Sequence, residues 1–305
     1  MKIYFDNVNF SSNTGPNTFG SRLAQELAKN HDVEIVGAAE DYDVFLCFFE
    51  PTRRPRPPAK FFQRLDGIWF KPEEFESHNQ LIKWAYRQAD GVIWQSDFDK
   101  KMTTHWWGDR LGRIIHNGID LQNRPQVGEE AKKFRDTYDK IFVCSSGWHR
   151  QKRLKENIDL FQKFAGESDI LLVLGSNPDE IVTDSRIKYL GQLSHQHCLE
   201  IYSIADWMIH LAWLDHCPNV VVEALSQKCP VICSSSGGTK EIVLNNGIVV
   251  PEQEEYAYEL CDYDDPPHLD FSDISLEEVQ VSNHHLSINY TAKQYLEFFN
   301  FSRGI

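Results

Sequence analysis

Short apolar runs and longer amphipathic stretches take turns along most of the chain. Lys2–Phe5, Val33–Val36, Val44–Phe49, Phe61–Leu65, Gly91–Gln95 and Arg113–His116 are compact apolar runs that predict strands. Between them, Thr18–Lys29 places Phe19, Leu23 and Leu27 at helical spacing, and Asn79–Gln88 is helical. Ser96-Asp97-Phe98-Asp99 reads as a helix cap. The second half repeats the alternation. Strands are predicted at Ile141–Ser145, Ile170–Gly175, Ile187–Leu190, Trp207–Leu211, Pro230–Ser234 and Gly247–Val250. Helices are predicted at Leu154–Ala165, His195–Ser203, Val220–Gln227 and Thr239–Leu244. The run Ile170–Gly175 is almost continuously apolar, as a strand covered on both faces should be.

Strand–helix alternation implies parallel sheets with helices on both faces, an α/β class. The 305 residues suit two such domains. The expected layout is two Rossmann-like domains facing each other across a cleft, joined near the polar stretch 121–135. Residues 1–122 would form the first and 123–285 the second. Residues 286–305 would hold a final helix, about Ser287–Phe299, packing back on the first domain. Ligands of such sheets bind beyond the carboxyl ends of the strands.

Composition narrows the class. No run approaches the roughly 18 apolar residues of a membrane span, and the N-terminus reads as a first strand rather than a signal peptide. Seven scattered cysteines without a CxxC pair suit reduced thiols in a cytoplasmic protein. The net charge of −14 argues against a generally basic nucleic-acid-binding surface. The charge is uneven, however. Residues 252–279 carry eleven acidic residues and no Lys or Arg, and 251–285 reads as an acidic surface stretch. Residues 50–64 carry Arg53, Arg54, Arg56, Lys60 and Arg64, a local basic site that an anionic acceptor would fit.

The richest segment runs from Trp207 to Val250. A strand ends near Asp215, the turn His216-Cys217-Pro218-Asn219 opens a helix carrying Glu223, and the next strand ends in Gly237-Gly238-Thr239. Helix starts offer N–H groups and a favourable dipole to a diphosphate. A strand-end carboxylate can hold a sugar hydroxyl, and a helix carboxylate can hold ribose. The segment resembles the retaining family-4 glycosyltransferases of the GT-B fold, whose signature is an acidic residue, seven residues, then Glu, followed by a Pro-Val strand and a Gly-Gly turn. This chain has Asp215 where the family usually has Glu, then Glu223, Pro230-Val231 and Gly237-Gly238. Ile115–Asp120 is similar to the family's boundary turn, and Tyr189-Leu190-Gly191 to the strand end near the nucleotide base. Ser146–Arg153 stands where the family sets an Arg and a Lys on the donor diphosphate. The resemblance makes Lys152 that lysine, and Arg150 or Arg153 the second cation, because His149 occupies the usual arginine position. Two cations on a leaving diphosphate would stabilise developing charge.

The resemblance thus implies donor-binding roles for Gly15, Arg150, Lys152, Arg153, Leu190, Asp215, Cys217, Pro218, Asn219 and Glu223. Gly15 belongs to the loop Ser12–Phe19 that follows strand one and opens a helix. On the acceptor side the candidates are Asn17, Arg53, Arg54, Arg64 and Asp66. Many relatives carry a histidine near the reacting carbon that has no clear match here, so Asp66, next to Gly67, is the candidate polar partner of the anomeric centre. With Lys152 and Asp215 it completes the expected catalytic set. The expected reaction moves a sugar from a nucleoside-diphosphate sugar, a UDP or GDP conjugate, to a hydroxyl on a saccharide or lipid-linked glycan. No bound cofactor and no metal are expected; His195-Gln196-His197 and His284-His285 lack a metal-ligand frame. The alternatives are glycosylation of a hydroxylated base in phage DNA, a non-catalytic sugar-nucleotide-binding protein and a nucleotide-sugar epimerase. Sugar identity and oligomeric state are not legible at this level.

Overall fold

The computed structural model describes residues 1–12, 14–178 and 181–303. They form two compact units. The first comprises Met1–Asp120, Ala257–Cys261 and the chain from His285 onward; the second comprises Leu121–Tyr256 and Asp262–His284.

In the first unit the chain runs β1 (Lys2–Asp6), α1 (Gly15–Asn30), β2 (Glu34–Ile35), β3 (Val44–Phe48), β4 (Lys60–Leu65), α2 (Pro72–His78), α3 (Gln80–Gln88), β5 (Gly91–Trp94), α4 (Asp97–Trp107) and β6 (Gly112–Ile114). The strands pair in parallel in the order β2-β1-β3-β4-β5-β6. Every residue of β3 is buried, which is why its sequence is Val-Phe-Leu-Cys-Phe without alternation. Helix α1 starts with Pro16 in its first turn, where the missing N–H costs nothing. Its buried stripe is Phe19, Leu23 and Leu27, the predicted spacing. Helix α4 is capped by Ser96, whose hydroxyl accepts from the Asp99 N–H at 3.1 Å. Helix α2 went unpredicted: only Phe75 of its seven residues is buried, so its apolar signal is a single residue.

The second unit runs α5 (Glu129–Thr137), β7 (Ile141–Ser145), α6 (Leu154–Phe164), β8 (Ile170–Leu174), β9 (Ile187–Gly191), α7 (His195–Ile204), β10 (Trp207–His210), α8 (Asn219–Ser226), β11 (Val231–Ser234), α9 (Thr239–Val243) and β12 (Gly247–Val250). Its parallel strand order is β12-β11-β10-β7-β8-β9. Two expectations are corrected here. Part of the polar stretch read as a linker is helix α5, held by two inward residues, Ala131 and Phe134. The acidic stretch after β12 is not merely surface: Leu269, Phe271, Ile274, Leu276 and Val279 pack on the core built by Phe142, Ile158, Leu171 and Ile209. The acidic residues between these anchors keep the outer side charged.

The last helix, α10 (Ile288–Arg303), belongs to the first unit and lies against α1. Ile288, Ala292, Tyr295, Phe298 and Phe299 join Phe19, Leu23, Leu27 and Phe62 in one core. This is the predicted return of the final helix. It is seated by apolar burial worth roughly 1.5–3 kcal/mol per large side chain.

Candidate active site

In the second sheet β7 stands between β8 and β10, so the chain leaves β7 on one side and comes back on the other. The carboxyl ends of β7 and β10 therefore form the topological switch point, where open parallel sheets bind ligands. The loop after β7 carries Lys152 and the loop after β10 carries Asp215. The Trp213 N–H donates to the Gln151 carbonyl at 2.9 Å and ties the two loops together. Lys152 Nζ donates to Asp215 Oδ2 at 2.6 Å, and His210 Nε2 lies 3.3 Å from the same oxygen. Burial alone would raise the Asp215 carboxyl. The Lys152 charge and the hydrogen bonds from His210 and Lys152 outweigh it and hold the group well below the ordinary carboxylate range. Next to it, burial pushes His216 down to about 4; Lys152 adds to that and Asp215 opposes it.

Backbone geometry sets this turn. Leu214 sits in the left-handed region at φ 55° immediately before Asp215. The Gly-Gly turn after β11 packs against it: Gly238 N–H donates to the Asp215 carbonyl at 2.7 Å. Gly237 has φ 77°, and a Cβ there would lie 2.5 Å from the Asp215 carbonyl oxygen and 2.8 Å from its nitrogen. Only glycine lets the two loops approach this closely. The Gly-Gly turn is thus the packing partner of the acidic turn.

Helix α8 begins directly after that turn. Pro218 precedes its first residue, Asn219, and no acidic residue occupies its first turn. Cys217 and Pro218 are buried and Asn219 is partly exposed. The N-terminus of α8 thus meets the switch point with its dipole unopposed. One turn into the helix, Glu223 is buried, and its Oε1 lies 3.2 Å from His195 Nε2 at the start of α7. Leu190, partly buried, stands at the carboxyl end of β9, next to Gly191 at φ 69°.

The candidate cations divide. Arg150 is exposed. Arg153 is not available to a ligand, which corrects its assignment as a donor cation. Its φ of 53° turns the side chain inward, where it is buried. There it makes a two-pronged pair with Glu252 at 2.7 and 3.0 Å and donates to the Pro267 carbonyl at 2.6 Å. Arg153 anchors the segment after β12, and Arg150 is the exposed one of the two candidates.

In the first unit the acceptor-side candidates collect at the carboxyl edge of the sheet. Arg64, at the end of β4, is fully buried. Its guanidinium is hydrogen-bonded to Asp66 through Nη1 and to Asn117 Oδ1 at 2.7 Å through Nη2. It lies 4.5 Å from the Phe19 ring centre and 4.7 Å from that of Phe48. Arg64 therefore orders this edge rather than projecting from it. Burial raises the Asp66 carboxyl, and the Arg64 charge and a hydrogen bond from Gln95 oppose that without reversing it. The switch point of this sheet is between β1 and β3, where buried Asp6 accepts from the Thr52 N–H at 2.7 Å and the Thr52 hydroxyl at 2.5 Å. Arg53 lies 3.7 Å from Asp6, while Arg54 is exposed. Asn17 Oδ1 accepts from the Asn9 N–H at 2.8 Å, and exposed Gly15 opens α1. Asn13 of the same loop lies outside the described residues.

Four residues at these edges were not among the predicted site residues: Asp6, Asn117, seen only as part of the boundary turn, His195, weighed only as a metal ligand, and His210. His210 ends an apolar strand and His195 opens an unremarkable helix, so no spacing marks them. Asp6 follows the apolar run of β1 directly, and a strand-end carboxylate is the one signal that would have singled it out.

Residues 139–263 match the family Glyco_trans_1_4, described as glycosyl transferases group 1. No curated protein sequence matches the chain. Among solved structures, HepE from Anabaena, in complex with UDP and glucose, is 17% identical with a TM-score of 0.69, over 99% of this chain and 100% of that one. A glycosyltransferase from Rickettsia africae is 16% identical with a TM-score of 0.64, over 99% and 98%. A sucrose-phosphate synthase from Thermosynechococcus elongatus is 15% identical with a TM-score of 0.64, over 83% and 86%.

Proposed function

We propose, for a chain whose residues 139–263 match the group 1 glycosyltransferases, that it moves a hexosyl group from a UDP-sugar to a hydroxyl of a saccharide or lipid-linked glycan, with retention. The observation that carries the donor half is the convergence of Lys152, Asp215 and the α8 N-terminus at one switch point. Lys152 and Arg150 would take the diphosphate, and the α8 dipole would support them. Asp215, held ionised, would accept a sugar hydroxyl. Glu223 would accept from the ribose hydroxyls, and the β9 end at Leu190 would border the base. UDP rather than GDP is favoured because HepE was solved with UDP and glucose. Retention rests on the resemblance of the Asp215–Glu223 segment to retaining enzymes.

In the reaction the bond between C1 and the β-phosphate oxygen breaks, a bond from C1 to the acceptor oxygen forms, and the acceptor hydroxyl gives up its proton to the departing diphosphate or to a carboxylate beside it. The departing diphosphate gains negative charge, so a cation fixed there stabilises the transition state more than the ground state. Exposed Arg54 and the half-exposed Arg53 would suit an acceptor with an anionic portion. Thermal melting with UDP-, GDP-, ADP-, dTDP- and CMP-sugars checks the donor, since a ligand of the native state raises Tm by mass action. A UDP-sugar should stabilise the protein most. Stabilisation by another nucleotide alone would overturn the UDP reading, and donor conversion to an isomer without acceptor would overturn transfer.

A further inference from the structure

Both carboxylates of the Asp215–Glu223 pair meet a histidine Nε2, and the two histidines are built differently. The His195 ring is 43% exposed, at a helix start, so a ribose hydroxyl can displace it from Glu223. The His210 side chain is 5% exposed and sits at the end of β10, whose backbone is laddered to β7 and β11. It has no room to leave.

We infer that His210 is the positioning residue that keeps Asp215 aimed at the donor sugar once Lys152 turns to the diphosphate. The inference rests on the reading of Asp215 as the sugar-hydroxyl acceptor. In the free protein Asp215 Oδ2 takes both Lys152, at 2.6 Å, and His210, at 3.3 Å. Oδ1 has no hydrogen bond among the described residues and is the oxygen left for substrate. Lys152 is a long flexible side chain, 19% exposed, on the short turn Arg150–Lys152. A diphosphate brings more negative charge than one carboxylate and draws it away. His210 is then the fixed anchor of Oδ2. Without it the carboxylate rotates freely and Oδ1 loses its aim. An aspartate has less reach than a glutamate, so its depth in the pocket depends on the strand-borne anchor. His210 touches neither phosphate nor sugar, and the signature sequence gives no sign of it.

The experiment uses the full chain with His210→Gln, His210→Asn, His210→Leu and Asp215→Ala, and UDP and UDP-glucose as probes. Dissociation constants are measured by calorimetry and donor turnover by kcat and KM. In His210→Leu and His210→Asn, UDP affinity should stay within about twofold while UDP-glucose affinity or kcat falls about tenfold, the scale of one hydrogen bond to a charged group. His210→Gln, whose amide reaches the Nε2 position, should restore most of the loss. A purely structural histidine would lower UDP and UDP-glucose binding together and would not separate Gln from Asn; either result overturns the inference. Should His210→Leu fail to fold, the Gln–Asn comparison decides alone. Unchanged UDP-glucose binding in every His210 variant, with loss in Asp215→Ala, sinks the inference but keeps the donor reading. Unchanged binding in Asp215→Ala, or a wild type that binds neither probe, sinks the donor reading and the inference with it.

Discussion

Asp215 in the second unit and Asp66 in the first look alike on paper: each follows a parallel strand, pairs with a Lys or Arg and has one further side-chain partner. Their proton affinities move in opposite directions. Burial acts on both. At Asp215 it loses to Lys152 and His210, which meet at one carboxylate oxygen. At Asp66 it wins, because the opposing charge is a guanidinium shared with Asn117 and lying against two aromatic rings. A compact ammonium focuses its charge on one oxygen, and a delocalised guanidinium spreads it over several partners. Asp215 is thereby built to stay ionised, which its proposed role toward a sugar hydroxyl needs. Asp66 is displaced toward the range where a carboxyl can exchange a proton, the trait of a candidate acid or base.

The strongest test of this contrast is Lys152→Met. It removes the ammonium on which both the Asp215 charge and the proposed leaving-group stabilisation depend. Turnover should fall by about a thousandfold, or ~4 kcal/mol, the cost of losing a preorganised transition-state partner. A steady-state assay with donor and acceptor checks it. Turnover within a factor of a few of wild type would move the diphosphate site away from the β7–β10 switch point.

Glu252→Gln asks the same question of the arginine next door. It leaves the buried Arg153 guanidinium without its carboxylate, and stability should drop by about 3 kcal/mol. UDP affinity in the folded variant should hold. Denaturant melts and calorimetry separate the two, and a selective loss of UDP binding at unchanged stability would return Arg153 to the donor.

Asp66→Asn probes the raised carboxyl. If Asp66 exchanges a proton during transfer, kcat should fall about a hundredfold with the donor KM unchanged, at the low end of general acid–base effects. Near-normal turnover with intact donor binding would make Asp66 a structural partner of Arg64.

What the sequence revealed follows the same division. The second unit was legible because its chemistry is local: Asp215, the α8 start and Glu223 lie within nine residues, and the Gly-Gly turn that supports them follows the next strand. Its errors were errors of direction. Arg153 neighbours Lys152 in sequence, and one left-handed residue sends the two side chains to different places. Helix α5 was hidden because two apolar residues suffice to seat it, and the acidic segment because its anchors are spaced between charges. In the first unit the edge is assembled from the ends of five separate strands, which pair Asp6 with Thr52 and gather Asp66, Gln95 and Asn117 about Arg64. No window of sequence contains that set.

The smallest expected effect lies beside Asp215 and separates its two neighbours. His216 is pushed down to about 4 by burial, against an ordinary value of 6.5. Between those values the unfolded chain binds a proton that the native protein refuses, so stability falls as pH drops from 6.5 toward 4 and levels off below. The loss at about pH 4.5 should be roughly 2.5 kcal/mol, since refusing one proton costs about 1.4 kcal/mol for each pH step below the ordinary value, less a little because the folded value is near. Asp215 cannot produce this signal: its depressed carboxyl contributes stability that is fully present above the ordinary aspartate value and wanes only as acid is added beyond it. His216→Gln has no proton to refuse. Denaturant melts of both proteins at about pH 7 and about pH 4.5 should show the wild type losing about 2.5 kcal/mol more than the variant. Equal losses would mean that His216 takes up its proton in the folded state, in contact with Asp215, and that the low proton affinity of this turn belongs to the aspartate alone.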